Sequence, residues 1–128
     1  MSTYPEDRKY TDEHEWISVE GPTGRVGLTR YAADALGEAV YVDLPAVGDS
    51  VVAGQACGEI ESTKSVSDLI APVSGEVTAV NEAADADPAI VTGDPHGEGW
   101  LYEVAVSDVP ANLLDAPAYA ALADGAGA

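Results

Sequence analysis

Phenylalanine is absent from the 128 residues, and methionine and cysteine occur once each, at Met1 and Cys57. One cysteine excludes an internal disulfide. Together with only His14 and His96 it leaves no zinc constellation at ligand spacing, so Cys57 reads as a small buried strand residue and each histidine as a surface or hydrogen-bonding group. Basic side chains are nearly as scarce: five lysines and arginines stand against 23 acidic residues, a formal net charge of −18. Nucleic acid and anionic membranes both demand Lys and Arg, so both are excluded as partners and neutral or basic surfaces are expected instead. No apolar run approaches the roughly 18 residues of a membrane span. The first residues, MSTYPEDRKYTDEHEW, have neither the apolar core of a secretory signal nor the acid-poor, Arg-rich character of a transit peptide. A soluble, cytoplasmic, monomeric chain is expected.

What is present suits one globular domain, with an apolar content of 46%. An arm over 1–9, a domain over 10–124 and a frayed tail over 125–128 are expected. Trp16 to Val19 and Arg25 to Leu28, separated by Glu20-Gly21-Pro22-Thr23-Gly24, predict a hairpin. Thr29 can cap a short helix closed by Gly37, with Tyr31, Ala35 and Leu36 on one face. Short strands then follow at Ala39–Leu44, Asp49–Ala53, Gly58–Glu61, Val66–Ala71, Gly75–Val80 and Trp100–Val106. Such a succession implies a flattened barrel or sandwich of antiparallel strands rather than a parallel sheet.

A faint echo, Val47-Gly48-Asp49-Ser50-Val51-Val52 against Val73-Ser74-Gly75-Glu76-Val77-Thr78, suggests two related hairpin units. Residues between Asn81 and Gly99 are rich in Asp, Pro and Gly and read as loop with one helical turn. Leu113, Leu114, Tyr119 and Leu122 predict a terminal helix broken at Pro117. Gly48, Gly54, Gly75 and Gly99 read as turn residues, and Trp16 and Trp100 as core or cleft wall.

Lys64 is one of only two lysines, and its context, GEIESTKSVSD, nearly spells a phosphate-binding loop. Thr63 replaces the glycine that would approach the phosphates, Glu59 and Glu61 would repel them, and Pro72 and Gly75 leave no room for the required helix. A solvated surface lysine is the plain alternative. However, Ser62-Thr63-Lys64-Ser65 separates two strand-like runs, which places the amine at a hairpin tip. A tip suits a covalently modified carrier lysine, whose tethered reactant reaches successive active sites at an effective concentration on the order of millimolar. The protein then supplies presentation and the cofactor supplies chemistry.

Glu61-Ser62-Thr63-Lys64-Ser65, with Ser67-Asp68 and Ala71-Pro72-Val73-Ser74-Gly75-Glu76-Val77, resembles the lipoyl-attachment region of the glycine cleavage system H protein family. Tyr10-Thr11-Asp12-Glu13-His14-Glu15-Trp16, Val26-Gly27-Leu28-Thr29, Ala35-Leu36-Gly37-Glu38, Val42-Asp43-Leu44-Pro45, Val47-Gly48 and Asp94-Pro95-His96-Gly97-Glu98-Gly99-Trp100-Leu101 extend the resemblance from about Tyr10 to the terminal helix. The chain departs from the family pattern at Thr63, where Val is frequent, at Ser65, where Ala is frequent, and at Thr92, where Asn is usual.

The resemblance implies a mainly β fold, a lipoyl/biotinyl-type flattened barrel-sandwich hybrid of two antiparallel sheets with a short helix near 29–37 and a C-terminal helix. It implies lipoic acid in amide linkage on Lys64, with Glu61, Ser62, Thr63 and Ser65 forming the attachment turn. The implied role is a carrier rather than an enzyme. Such a carrier moves the aminomethyl group of glycine from a pyridoxal-phosphate glycine decarboxylase to the tetrahydrofolate-dependent aminomethyltransferase, with reoxidation by dihydrolipoamide dehydrogenase and loading by a lipoate-attaching enzyme. Glu15, Asp68 and His14 are the implied lining of a cleft that shelters the loaded arm. A biotin carrier would place methionines beside the lysine, and a 2-oxoacid dehydrogenase lipoyl domain would lack the His14-Glu15-Trp16 and Gly97-Glu98-Gly99-Trp100 segments. An H-like lipoyl relay and an unmodified interaction module remain alternatives.

Overall fold

The computed structural model describes residues 7–109 and 113–126. In chain order the elements are β1 (Lys9–Tyr10), β2 (Glu15–Glu20), β3 (Thr23–Leu28), α1 (Arg30–Leu36), β4 (Ala39–Asp43), β5 (Ser50–Val51), β6 (Ala56–Ser62), β7 (Val66–Ile70), β8 (Ser74–Val80), α2 (Glu82–Ala86), α3 (Ala89–Gly93), β9 (Tyr102–Asp108) and α4 (Ala116–Ala126). Six strands form one sheet in the order β1-β2-β3-β9-β8-β5, three form a second in the order β4-β6-β7, and every pairing is antiparallel. This is the expected two-sheet β architecture with short helices. No helix among the described residues is long and apolar enough to cross a membrane.

The main core lies between the sheets, where Ile17, Val26, Val77 and Val104 from the first meet Val42, Ile60 and Leu69 from the second. Strand β2 departs from the usual in-out alternation because Glu15, Trp16 and Ile17 are all buried. Side chains on a strand alternate faces, so Glu15 shares a face with Ile17 while Trp16 points the other way. The second face is covered by α4, whose Ala116, Tyr119 and Ala123 bury Tyr10 and Trp16 in a separate cluster.

The expected break at Pro117 is overturned: α4 begins at Ala116 and runs through it. In a first turn the missing proline N–H has no intrahelical acceptor to lose. Asp115 caps this start by accepting from the Ala118 N–H at 3.0 Å. Leu113 and Leu114 precede the helix, Leu122 is exposed, and Tyr119 supplies the anchor. The described helix reaches Ala126; residues 127–128 of the expected tail, and 1–6 of the expected arm, lie outside the described residues.

The helix at 29–37 forms as read, with Thr29 accepting from the Ala32 N–H at 3.2 Å and Gly37 closing it at φ 81°. Its buried face is Ala33 and Leu36, whereas Ala35 is exposed. The two echoed segments are partners rather than separate hairpins: Ser50 and Val51 pair with Glu76 and Gly75. Gly48 and Gly54 occupy positive-φ turns as expected. Gly99 also lies in a turn and Gly75 lies within β8, neither at positive φ; at both, an added Cβ would strike a carbonyl oxygen, that of Ile90 or of Ala105. The loop expected between Asn81 and Gly99 holds two short helices, the first capped by Asn81.

Candidate functional site

Lys64 stands in the turn between β6 and β7 and is exposed, with no ion pair among the described residues. Ser62 shapes the turn. Its hydroxyl accepts from the Lys64 and Ser65 N–H groups at 3.2 and 3.1 Å and donates to the Ser65 carbonyl at 3.1 Å. Thr63 donates its N–H to the Glu38 carbonyl at 3.1 Å, which ties the hairpin to the end of α1. The lysine stem then lies over Gly37, whose ideal Cβ would come within 2.9 Å of Lys64 Cε. Glu61 is partly buried on β6 opposite Val66, and Ser65 is exposed.

From this hairpin a cleft of about 250 Å3 extends between β7 and α1. Ser65, Val66, Ser67 and Asp68 form one side, Ala32, Ala35 and Leu36 the other, with Leu28 and Ile60 as apolar floor and Glu13 and Glu15 at the far end. The sequence reading anticipated Glu15 and Asp68 but not Glu13 or the helix wall, because these meet the hairpin only through tertiary packing.

The two anticipated carboxyls are not equivalent. Asp68 is exposed on β7, opposite Glu59. Glu15 is 1% exposed and bridges the sheets, its Oε2 accepting from the Ile70 N–H of β7 at 2.7 Å, while Oε1 has no hydrogen-bond partner among the described residues. Burial pushes the Glu15 carboxyl well above the usual range, the Ile70 N–H opposing and the Glu13 carboxylate reinforcing the shift. The site therefore contains a buried carboxyl whose pKa is raised by burial and whose Oε1 is unpartnered among the described residues.

His14 does not enter the cleft lining. It takes a left-handed conformation at φ 68°, and its Nδ1 lies 2.7 Å from the Tyr119 hydroxyl, which lies 2.8 Å from Thr29 Oγ1. Burial lowers the His14 pKa, with Glu13 and Asp12 opposing. Thr29 Oγ1, the Tyr119 hydroxyl and His14 Nδ1 thus form a hydrogen-bonded chain whose direction is set by the His14 tautomer. Its effect is to hold the backbone that delivers Glu15.

Cys57 is half-buried on β6, 3.5 Å from the Tyr102 hydroxyl, and burial pushes its thiol up, so it is not a poised nucleophile. No group of His, Cys, Asp and Glu among the described residues could hold a metal ion. A larger groove of about 680 Å3 shares no lining residue with the cleft; there Arg8 stacks on Trp16 and Arg25 on Trp100 at 4.4 Å. Its arginines are already committed, Arg8 to Asp7 and the His96 carbonyl and Arg25 to Glu103. The smaller cleft has the open carboxyl and the adjoining amine.

The chain is similar to known proteins over nearly its whole length. The family model described as Glycine cleavage H-protein matches residues 8–124. The Glycine cleavage system H protein of Beutenbergia cavernae is 58% identical over 121 residues, covering 94% of this chain and 97% of that one. Its counterpart from Streptomyces coelicolor is 54% identical over 120 residues, covering 93% and 96%. A crystal structure of a glycine cleavage system H protein from Mycobacterium marinum superposes with a TM-score of 0.87 at 49% identity, covering 98% of this chain and 100% of that one.

Proposed function

The chain belongs to the glycine cleavage H-protein family, and on that premise we propose that it is a lipoyl carrier modified at Lys64. The observation that carries this reading is one of placement: an exposed amine at a hairpin tip is next in sequence to Ser65 on the wall of a cleft that is also lined by Glu15, whose buried Oε1 is unpartnered among the described residues. An orphaned buried oxygen calls for a donor, and a primary amine is a fitting one. Lipoic acid in amide linkage would supply the reversible disulfide chemistry and the sulfur to which a one-carbon aminomethyl unit attaches. Everything else falls to this chain's residues.

Ser62 holds the turn open for the lipoate-attaching enzyme, and Thr63 fastens it to α1. Leu28, Leu36 and Ile60 exclude water from the cleft, which protects a hydrolysable cargo. Glu15 accepts the cargo amine at the dry end, while Asp68 and Glu13 attract it electrostatically. With a single cysteine and so no dithiol of its own, the chain serves as substrate to partner enzymes: glycine decarboxylase, aminomethyltransferase and dihydrolipoamide dehydrogenase. Its net charge of −18 steers it toward basic surfaces on them.

Intact mass after incubation with lipoate and a lipoate ligase tests the assignment. A gain of one lipoyl group, lost in Lys64→Arg, supports it; no gain in either protein defeats it. Glycine–bicarbonate exchange with the decarboxylase then separates a glycine carrier, which supports exchange, from a lipoyl relay, which does not.

A further inference from the structure

Glu15 lines two cavities. In front is the cleft beside the lysine hairpin; behind is a smaller cavity of about 80 Å3, walled by Thr11, Asp12, Ala53 and Gly54 among others, and Glu13 and Glu15 line both. Glu15 thus forms part of a polar partition between two openings.

Charge balance decides its state. Facing an uncharged arm, a Glu15 carboxylate would be buried with one N–H donor and a second carboxylate, Glu13, nearby. An uncompensated buried charge costs several kcal/mol, about the scale at which a group neutralises instead. Facing a protonated amine, the carboxylate becomes the better partner because the pair is charge-assisted and neutral overall. Counting the buried Glu15 carboxyl alone, the arriving cation is matched by one negative charge if one proton leaves Glu15.

We propose that Glu15 is a proton-exchanging ligand, a neutral acid toward an uncharged arm and a carboxylate toward a protonated amine, its proton leaving and returning through the cavity behind it. This rests on the reading that the cleft receives an amine-bearing arm from Lys64. The Glu15 O–H bond breaks heterolytically, the electron pair stays on the carboxylate, and the proton goes to water. No other bond changes and nothing is oxidised or reduced. The rear opening matters because a seated arm covers the front.

The groups facing Glu15 localise the exchange. Glu13 and Asp12 precede β2 and Asp68 lies on β7; all three are exposed and solvated. The Cys57 thiol of β6 and the Tyr102 hydroxyl of β9 keep their protons, both being pushed up by burial. Helix α1 turns only Ala32, Ala35 and Leu36 toward the cleft.

The test uses lipoylated full-length protein with carbon-13-labelled Glu carboxyls, reduced and alkylated with either 2-bromoethylamine or bromoethane. The first arm carries a stable amine and the second a neutral group. Seating is read from the amide shifts of Ala32, Val66 and Asp68; if the amine arm leaves them unmoved, the cleft reading itself fails. If they move, the Glu15 titration midpoint falls by about one pH unit or more relative to the ethyl arm. Seating with equal midpoints overturns proton exchange. Asp68→Asn retains the difference, and its loss there would transfer the role to Asp68. Ala53→Leu, which narrows the rear cavity, broadens the Glu15 carboxyl resonance near its midpoint, and an unchanged width overturns the rear route.

Discussion

His14 Nδ1 and the Tyr119 hydroxyl lie 2.7 Å apart across 105 residues of sequence. Through this contact the terminal helix reaches the residue immediately before the buried Glu15. Because the same hydroxyl meets Thr29, the N-cap of α1, one side chain ties α4 both to the helix wall of the site and to the segment that delivers Glu15.

Tyr119→Phe keeps the ring stacked on Tyr10, 4.9 Å between centroids, and removes the hydroxyl. Leaving Thr29 and His14 short of a buried partner costs about 1–3 kcal/mol. Urea unfolding should show that loss, and the amide resonances of His14 and Glu15 should shift while those of the distant β5–β8 pair stay put.

His96 and Glu15 give stability opposite pH dependences. The Arg30 N–H donates to His96 Nε2 at 3.1 Å, so that nitrogen must be unprotonated, and burial pushes the His96 pKa down to about 4, with Arg8 and Arg30 contributing and Asp94 opposing. The unfolded chain then binds the extra proton first, and stability falls as pH drops from about 6.5 toward 4. Solvent access to this half-buried ring limits the loss to about 1–2 kcal/mol. The lowered His14 pKa acts in the same direction. Glu15, raised instead, contributes stability that is full below its unfolded value and declines as pH rises through its folded one. Denaturant midpoints against pH should flatten on the acid side in His96→Gln and on the alkaline side in Glu15→Gln.

Gly37→Ala strains a positive-φ helix end and drives a methyl group against the Lys64 stem. The strain costs about 1 kcal/mol or more. Lipoate attachment should slow several-fold as the lysine is displaced, a rate readable by mass spectrometry. An unchanged rate would mean that the stem's position over α1 is unimportant to the modifying enzyme.

Cargo protection should follow burial rather than charge count. Glu15→Ala removes the buried carboxyl of the cleft and should shorten the lifetime of the aminomethyl-loaded protein about 10-fold or more, a buried charge-assisted bond being worth about 1.5–3 kcal/mol. Asp68→Ala removes an exposed carboxylate, whose contribution is about 0–1 kcal/mol, and should change the lifetime only a few-fold. Ammonia release in a time course measures both.

Much of the architecture was present in local pattern. The hairpins, the Thr29-capped helix and the lysine turn each depend on neighbours within a few residues, so turn chemistry and alternation sufficed to place them. Lys64 was identifiable for the same reason: Ser62 and Ser65, which make its turn, are adjacent in sequence. The long-range outcomes were not readable that way. Pro117 reads as a breaker until the chain shows that it occupies a first turn, and the two echoed segments turn out to be each other's partners.

By itself the sequence determined the family, singled out Lys64 as the candidate for modification and argued against phosphate-rich partners, since identity, spacing and net charge are properties of the chain. Only the tertiary structure distinguished Glu15 from Asp68, two carboxylates that sequence treated alike. Burial beneath β7, an N–H from Ile70 and an oxygen left without a partner are supplied by residues 55 positions away. Desolvation is set by what packs around a group, and no local spacing encodes it.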